Sequence, residues 1–396
     1  MKKNKMTNIL IADSGAGFGG TSKYLGELLP ELRSLGFSPF AVFYGDGPLA
    51  RSILEKMPDS ELHSEWRTAG AEDSSGRPFA RARHLMKTLF QMMILSPAIV
   101  RWLSKHRVGL VHLNNEVLSH LPLILAAKLA GCRILCHLHG WRPMTMTERL
   151  VLPWVDEFMS ISEAGARYFC GGIRRPVLAV PNGVAEPQLD SGQVQAVRAK
   201  TRLAWGWDEA TVGCVIAGRL TAWKGQEVFI RALASALNDN PRLKGAIVGE
   251  DPSSDKSESK RLRALSEELG IGGSVSFIPW MEDISGAYAA ADIVIHASVR
   301  PEPFGLVILE AMQFGRAVIA SRAGGVLDIV RDEVTGILTE PGGTLSLKKA
   351  MVRLADDPAL RSRLGAQGQQ RAKTEFSLKR NAEMIGAIYR RLLALP

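Results

Sequence analysis

The amino-acid sequence predicts an α/β protein built as two doubly wound domains, each a parallel sheet with helices on both faces. Three observations predict it. The chain has 396 residues, longer than one ordinary domain, and two domains of roughly 180 residues each are the natural division. Hydrophobic residues make up 46% and charged residues 22%, enough for a core in each half and too ordinary a balance for disorder. Short apolar runs alternate with helical stretches twice over, separated by one polar passage.

The elements follow in chain order. Met1-Lys-Lys-Asn-Lys-Met-Thr-Asn is a basic front, but the apolar run behind it stops after four residues, so it reads as a first strand and not a signal peptide. Asn8–Ala12, Pro39–Tyr44, Leu110–Leu113, Arg133–His137, Glu157–Ile161 and Val177–Val180 are strand candidates, with helices such as Tyr24–Leu35 and Leu121–Ala130 between them. From Ala185 to Lys200 the pattern lapses into polar residues with Pro187 and Gly192, the best linker candidate. A second series begins with Val212–Ala217 and continues through Ala246–Val248, Val275–Phe277, Asp292–Ala297 and Ala317–Ser321. Leu378 to Leu393 forms a last amphipathic helix. The expected division is 1–185, a linker at 186–208, a second domain at 209–375, and a terminal helix at 376–396. Cys132, Cys136, Cys170 and Cys214 show no paired spacing and read as buried thiols of a reducing cytoplasm.

The formal net charge is +9, which favours a polyanionic partner. Its focus is the run Arg77, Arg81, Arg83, Lys87, Arg101, Lys105 and Arg107, which contains no acid. Interleaved apolar residues from Leu89 to Val100 are too few to span a bilayer. A basic stretch of this kind suits a helix lying on an anionic membrane surface; an ordinary pair of core-facing helices with a basic outer face is the plainer alternative. Aromatic residues are only 7% and carry no nucleic-acid motif, so nucleic acid is not an expected partner.

The most informative motif is Arg300-Pro-Glu-Pro-Phe-Gly-Leu-Val-Ile-Leu-Glu310. Pro301 and Pro303 forbid regular structure after the strand Asp292–Ala297, and a helix follows from about Gly305 to Gly315. Glu302 therefore lies on the loop at the strand's carboxyl end and Glu310 on the helix's second turn. Both can reach one crevice at the sheet edge, where open α/β folds bind ligands. The first helix amides, around Phe304, Gly305 and Leu306, form an anion site. Two carboxylates beside a phosphate site suit a sugar nucleotide. Gly218-Arg219-Leu-Thr-Ala-Trp-Lys224-Gly225 projects two cations over the same strand ends, and cations there stabilise the charge of a departing diphosphate. No Asp-x-Asp triplet occurs, so a metal-bridged diphosphate is unsupported and no metal or other cofactor is expected. A glycosidase pair is rejected, because cationic surroundings keep both carboxylates ionised. Gly15-Ala-Gly17-Phe-Gly19-Gly20 matches a dinucleotide fingerprint, and with Asp46 it makes an NAD-dependent oxidoreductase the rival reading. A catalytically silent nucleotide-sugar-binding protein is the third.

Glu-x7-Glu with Phe-Gly inside it resembles the donor-site motif of retaining GT-B glycosyltransferases of family 4. Gly19-Gly20, Pro181-Asn-Gly-Val184, Gly218–Gly225 and Gly324-Gly325 occur in that family's order. The resemblance covers nearly the whole chain and is strongest from about Val212 to Leu338. It implies two Rossmann-like domains facing across a cleft, and transfer of a sugar from a UDP-, GDP- or other nucleotide sugar; the missing Asp-x-Asp makes the transfer metal-independent, and the basic first domain suggests a glycan or lipid-linked acceptor. Apart from the resemblance, the unpaired cysteines and the basic run 77–107 suggest cytoplasmic placement, peripheral on the inner face of a membrane. Glu302 and Glu310 would accept hydrogen bonds from the transferred sugar and the ribose. Arg219, Lys224, Gly19, Gly20, Phe304, Gly305 and Leu306 would hold the diphosphate. Trp280 is placed to wall the base. His139, or its neighbour His137, would lie near the anomeric centre. Asn114, Asn115 and Glu116 are acceptor candidates.

Overall fold

The computed structural model describes residues 8–14, 20–57, 59–67, 78–173 and 175–395, without the side chains of 20–22, 48–49 and 78–85. The chain divides into two compact units, Met1–Gly183 with Leu378–Pro396, and Val184–Ser377.

The first unit contains β1 (Asn8–Asp13), β2 (Ser38–Phe43), β3 (Glu61–Leu62), β4 (Val108–Asn115), β5 (Arg133–Leu138), β6 (Glu157–Ser160) and β7 (Val177–Ala179). Their order is β3-β2-β1-β4-β5-β6-β7, and every pair is parallel. Alternation along β1 shows why both faces are covered. Ile9 and Ile11 join a core with Tyr24, Leu25 and Leu28 of helix Gly20–Ser34 and with Ile385 and Tyr389 of helix Leu378–Leu393. Leu10 and Ala12 join the opposite core, with Ile99 and Leu103 of helix Pro78–Lys105 and Leu123 of helix Leu121–Leu129.

The second unit contains β8 (Val212–Ala217), β9 (Leu243–Val248), β10 (Val275–Ile278), β11 (Ile293–His296), β12 (Ala317–Ser321) and β13 (Ile337–Thr339). Its order is β10-β9-β8-β11-β12-β13, again parallel throughout. In both sheets the winding direction reverses once, between β1 and β4 and between β8 and β11. Loops leaving adjacent strands at such a point diverge and open a crevice.

The polar passage read as a linker holds a helix, Ser191–Ala204. Asp190 accepts from the Gln193 amide, and Gln193 returns the bond to the Asp190 amide, both at 2.9 Å. This capping box starts the helix. Arginines rather than an apolar stripe dock it: Arg198 donates to the carbonyls of Ala289, Ala290 and Ala291 and, with Arg202, grips Asp292. Periodicity of apolar residues could not reveal that. β3 and β13, two and three residues long, also went unread. The basic run is one helix, Pro78–Lys105, with Pro97 inside it; Arg77 lies outside the described residues. Cys132, Cys136 and Cys214 are buried, but Cys170 is exposed, because it ends helix Glu163–Cys170 on its outer side.

A buried polar network ties the terminal helix to the first sheet. Tyr24 Oη donates to Asn381 Oδ1 at 2.6 Å, and Asn381 Nδ2 donates to the Pro181 carbonyl at 2.6 Å. The Tyr389 hydroxyl lies 2.6 Å from His112 Nδ1. The His112 and His137 rings lie 5.4 Å apart and those of His137 and His139 3.9 Å apart, both pairs tilted. Burial holds His112 and His139 down to about 3 and His137 well below its ordinary range, so all three are neutral.

In the second unit, Gly225 closes the loop after β8 at φ 77°. A Cβ there would lie 1.9 Å from the Ala297 carbonyl oxygen, so the loop's approach to the chain leaving β11 requires glycine.

Two stability predictions follow from these contacts. The neutral histidines stabilise the fold fully above the unfolded value of 6.5, and that stability is lost as pH falls from there toward 3. Each histidine costs about 1.4 kcal/mol per pH unit in that window. Urea midpoints should therefore drop clearly between about pH 7.5 and about pH 5.5, and a flat profile would refute the neutral cluster. Gly225→Ala should cost about 3 kcal/mol. Gly206→Ala, at φ 66° with open space around the new methyl, should cost only about 1 kcal/mol. Equal losses in urea melts would remove the close approach as the reason for Gly225.

Candidate active site

The crevice of the second sheet lies beyond Ala217 of β8 and His296 of β11. Two backbone contacts fix the loops that leave them. The Val299 amide donates to the Trp223 carbonyl at 2.8 Å, and the Gly325 amide donates to the Glu302 carbonyl at 2.9 Å. Glu302 also bridges to Gly324 in parallel register. A Cβ on Gly325 would meet the Pro303 carbonyl oxygen at 2.2 Å. Glu302 is thus held from both sides before its side chain makes any contact.

That side chain is largely buried and carries three donors. Lys224 Nζ donates to Oε1 at 2.5 Å. His296 Nε2 lies 2.6 Å from Oε2, and Ser298 Oγ donates to Oε2 at 3.0 Å. Burial pushes the Glu302 carboxyl up, but the bond to His296 and the charges of His296 and Lys224 outweigh it, holding the group far below the usual carboxylate range. An ionised carboxylate only accepts, so His296 Nε2 carries the proton in this contact. Three bonds leave one of roughly four lone-pair positions for a further donor. Lys224 also lies over the Trp223 ring at 4.4 Å. A single well-placed base without an acid partner is unlike a hydrolase pair.

Gly305, at φ 116°, precedes helix Leu306–Gln313. The Phe304 side chain is buried and faces Phe376 at 6.2 Å, so only its backbone is available to a ligand. Glu310 accepts from the Tyr288 hydroxyl at 2.8 Å; burial and the Glu310 charge keep that phenol protonated. Glu302 and Lys224 are brought together directly, whereas Glu310 is engaged by Tyr288. The Arg219 side chain is exposed, and its carbonyl accepts from Gln226 at 3.0 Å. Trp280 is 47% exposed just past β10. Beside it, a cavity of about 140 Å³ is lined by Leu220, Gly249, Lys256, Arg263, Phe277 and Pro279, with the Arg263 guanidinium over the Phe277 ring at 4.4 Å.

The first sheet's crevice is built differently. Asn114 Nδ2 donates to Asp13 Oδ2 at 2.6 Å, across the reversal between β1 and β4. That turns Asn114 Oδ1 toward His139 Nε2, 2.9 Å away. An amide oxygen cannot donate, so Nε2 bears the proton and Nδ1 is left as the acceptor. His137 is wholly buried, with both ring nitrogens unpaired among the described residues. Asn115 takes φ 111°, an uncommon conformation for a side-chain-bearing residue. With Glu116 it lines a cavity of about 160 Å³ that also includes Trp141, Arg142 and Glu148. Burial raises the Glu116 carboxyl, but Ser119 and Arg142 outweigh it and leave it ionised. Gly15, Gly17 and Gly19 lie outside the described residues, and Gly20 begins the first helix. Asp46, the acid a dinucleotide would need, is exposed and paired with Arg51 at 2.6 Å.

Sequence reading missed His296, Ser298, Tyr288 and Asp13. For His296 a signal existed: it is the last residue of β11, six positions before Glu302 on the same crevice. Tyr288 gave none, since only the packing of helix Ser285–Ala290 turns it toward Glu310.

Residues 18–186 match the model of the Glycosyltransferase Family 4 domain, and residues 198–371 match that of Glycosyl transferases group 1. A D-inositol 3-phosphate glycosyltransferase of Actinosynnema mirum is 32% identical over 73% of this chain and 69% of its own length. One of Acidothermus cellulolyticus is 34% identical over 55% and 48%. The chain spans about half the length of the first curated relatives it matches. Among solved structures, Anabaena HepE in complex with UDP has a TM-score of 0.79 at 23% identity, covering 98% of this chain and 100% of that one. The fold is accordingly GT-B, and the oxidoreductase reading is not favoured. The chain belongs to the group 1 glycosyl transferases.

Proposed function

We propose that the protein transfers a sugar from a nucleotide diphosphate sugar to a hydroxyl of a polyol or glycan acceptor, with retention and without a metal ion. The carrying observation is the buried Lys224–Glu302 pair at the reversal point of the second sheet, beside the amino end of helix Leu306–Gln313. Arg219, Lys224 and the amides at Gly305 and Leu306 would receive the diphosphate, whose charge grows as the glycosidic bond breaks. Glu302 would accept from a hydroxyl of the transferred sugar through its remaining lone pair. Glu310 would accept from the ribose, and Gly19 and Gly20 would approach the diphosphate. Trp280 would border the base. His139, neutral and with Nδ1 as acceptor, suits a sugar hydroxyl rather than proton donation. Asn115 and Glu116, on their cavity, and Asn114 beside them are the acceptor candidates.

Given retention, Glu302's surroundings favour a front-face route over a covalent glycosyl-enzyme. Both its oxygens are occupied, and its charge is stabilised by three donors, which makes it a poor nucleophile. A front-face displacement, in which the departing phosphate takes the acceptor's proton, needs none. Relatives act on inositol phosphate by name, and HepE was solved with UDP-glucose, so UDP-sugars and phosphorylated polyols are the first compounds to assay.

Glu302→Gln should lower turnover about a hundredfold or more while changing nucleotide affinity by less than about threefold. Steady-state kinetics beside calorimetric titration with the nucleoside diphosphate would test it, and unchanged turnover would sink the assignment. A nucleotide sugar at about 100 times its dissociation constant should stabilise the protein by about 2.7 kcal/mol. Metal independence predicts the same melting shift and the same transfer rate in excess chelator. Loss of both on chelation, with recovery on adding a divalent ion, would mean that Arg219 and Lys224 do not replace a metal.

A further inference from the structure

Helix Pro78–Lys105 carries an apolar face on both sides. Its inner face buries Met92, Ser96, Ile99 and Leu103. Its outer face exposes Met86, Leu89, Phe90, Met93 and Ile94, each between 40% and 72% accessible. Their spacing (0, 3, 4, 7 and 8) places them in one stripe. A helix packed on a core ordinarily turns polar residues outward, and an apolar stripe facing solvent marks a contact surface. Lys87, Arg101, Lys105 and Arg107 are exposed around and beyond the stripe, and no Asp or Glu occurs between Arg77 and Arg107. The neighbouring acid Glu61 is occupied by His63, Trp102 and His106.

We infer that this outer face docks on an anionic membrane surface. Phe90, Met93 and their neighbours enter the headgroup boundary while the four cations meet lipid phosphates. The stripe from Met86 to Ile94 extends about 12 Å along the helix, and among the described residues no helix is long and apolar enough to cross a bilayer. The helix therefore lies in the surface plane. Charge selects this occupant over a second copy of the chain, because two such faces would bring cation against cation. The inference rests on this helix alone and is independent of the transferase reading.

Flotation of the full chain with vesicles provides the test. One set is phosphatidylcholine alone, and the other contains about one third anionic phosphatidylglycerol. The wild type should float with the anionic set. Phe90→Glu with Met93→Glu should lower partitioning about tenfold or more, with melting temperature and transfer to a water-soluble acceptor unchanged. Lys87→Glu with Arg101→Glu should weaken binding and reduce its dependence on salt. The inference is overturned if the wild type ignores anionic vesicles, or if the Phe90/Met93 variant binds them as well as wild type. It is also overturned if sedimentation shows a dimer that this variant splits, which would assign the face to a second copy.

Discussion

The second unit depends on how one charge is buried. An ionised carboxylate taken out of water costs several kcal/mol unless its lone pairs are met. Glu302 meets that cost with Lys224, His296 and Ser298, drawn from two loops and one strand end. Removing any one partner leaves a charge or a donor stranded. The contact between the β8 and β11 loops is therefore electrostatic in its side chains and steric in its backbone. Gly225 permits the close approach, and Gly325 does the same for the chain behind Glu302. The glycines and the ion pair are parts of one arrangement, since the pair forms only where the backbones can come that near.

The same topology serves opposite chemistry in the first unit. Its reversal point also joins the ends of two adjacent strands by a side-chain bond, Asn114 to Asp13. Here the oxygen of the same Asn114 amide accepts from a neutral imidazole, His139. Burial keeps His139 uncharged, and the Asn114 amide fixes its tautomer. One crevice thus offers a paired ammonium and carboxylate, and the other offers an uncharged acceptor at His139. A polyanionic diphosphate matches the first, and sugar hydroxyls match either.

Much of this was legible in the sequence because parallel strands buried on both faces read as unbroken apolar runs. The fold class and the strands that build both sheet centres were readable for that reason, and the terminal helix Leu378–Leu393 from its amphipathic period. The positions of Glu302 and Lys224 at strand ends were readable too, from proline and glycine punctuation. What escaped was held by polar contacts. Helix Ser191–Ala204 docks through Arg198 and Arg202, so its sequence looked like a linker. His296 and Ser298 bind a carboxylate that no period encodes. β3 and β13 are edge strands too short to show alternation. Phe304 illustrates a different limit: its place in a ligand motif suggested a contact, yet its ring fills the space against Phe376 and leaves only the backbone for function.

In the proposed transfer, the pairing of Lys224 with Glu302 would bear on catalysis. A lysine facing a diphosphate also attracts the uncleaved donor, and that uniform part of its pull does not raise turnover. Paired with a carboxylate, Lys224 presents a dipole, and its pull on the uncleaved donor is weaker. As the bond to the leaving oxygen breaks, negative charge concentrates there and the interaction strengthens. The ammonium needs no reorganisation at that moment, because Glu302 already fixes its place. In that reaction the carboxylate would shift the cation's effect from binding toward the bond-breaking step.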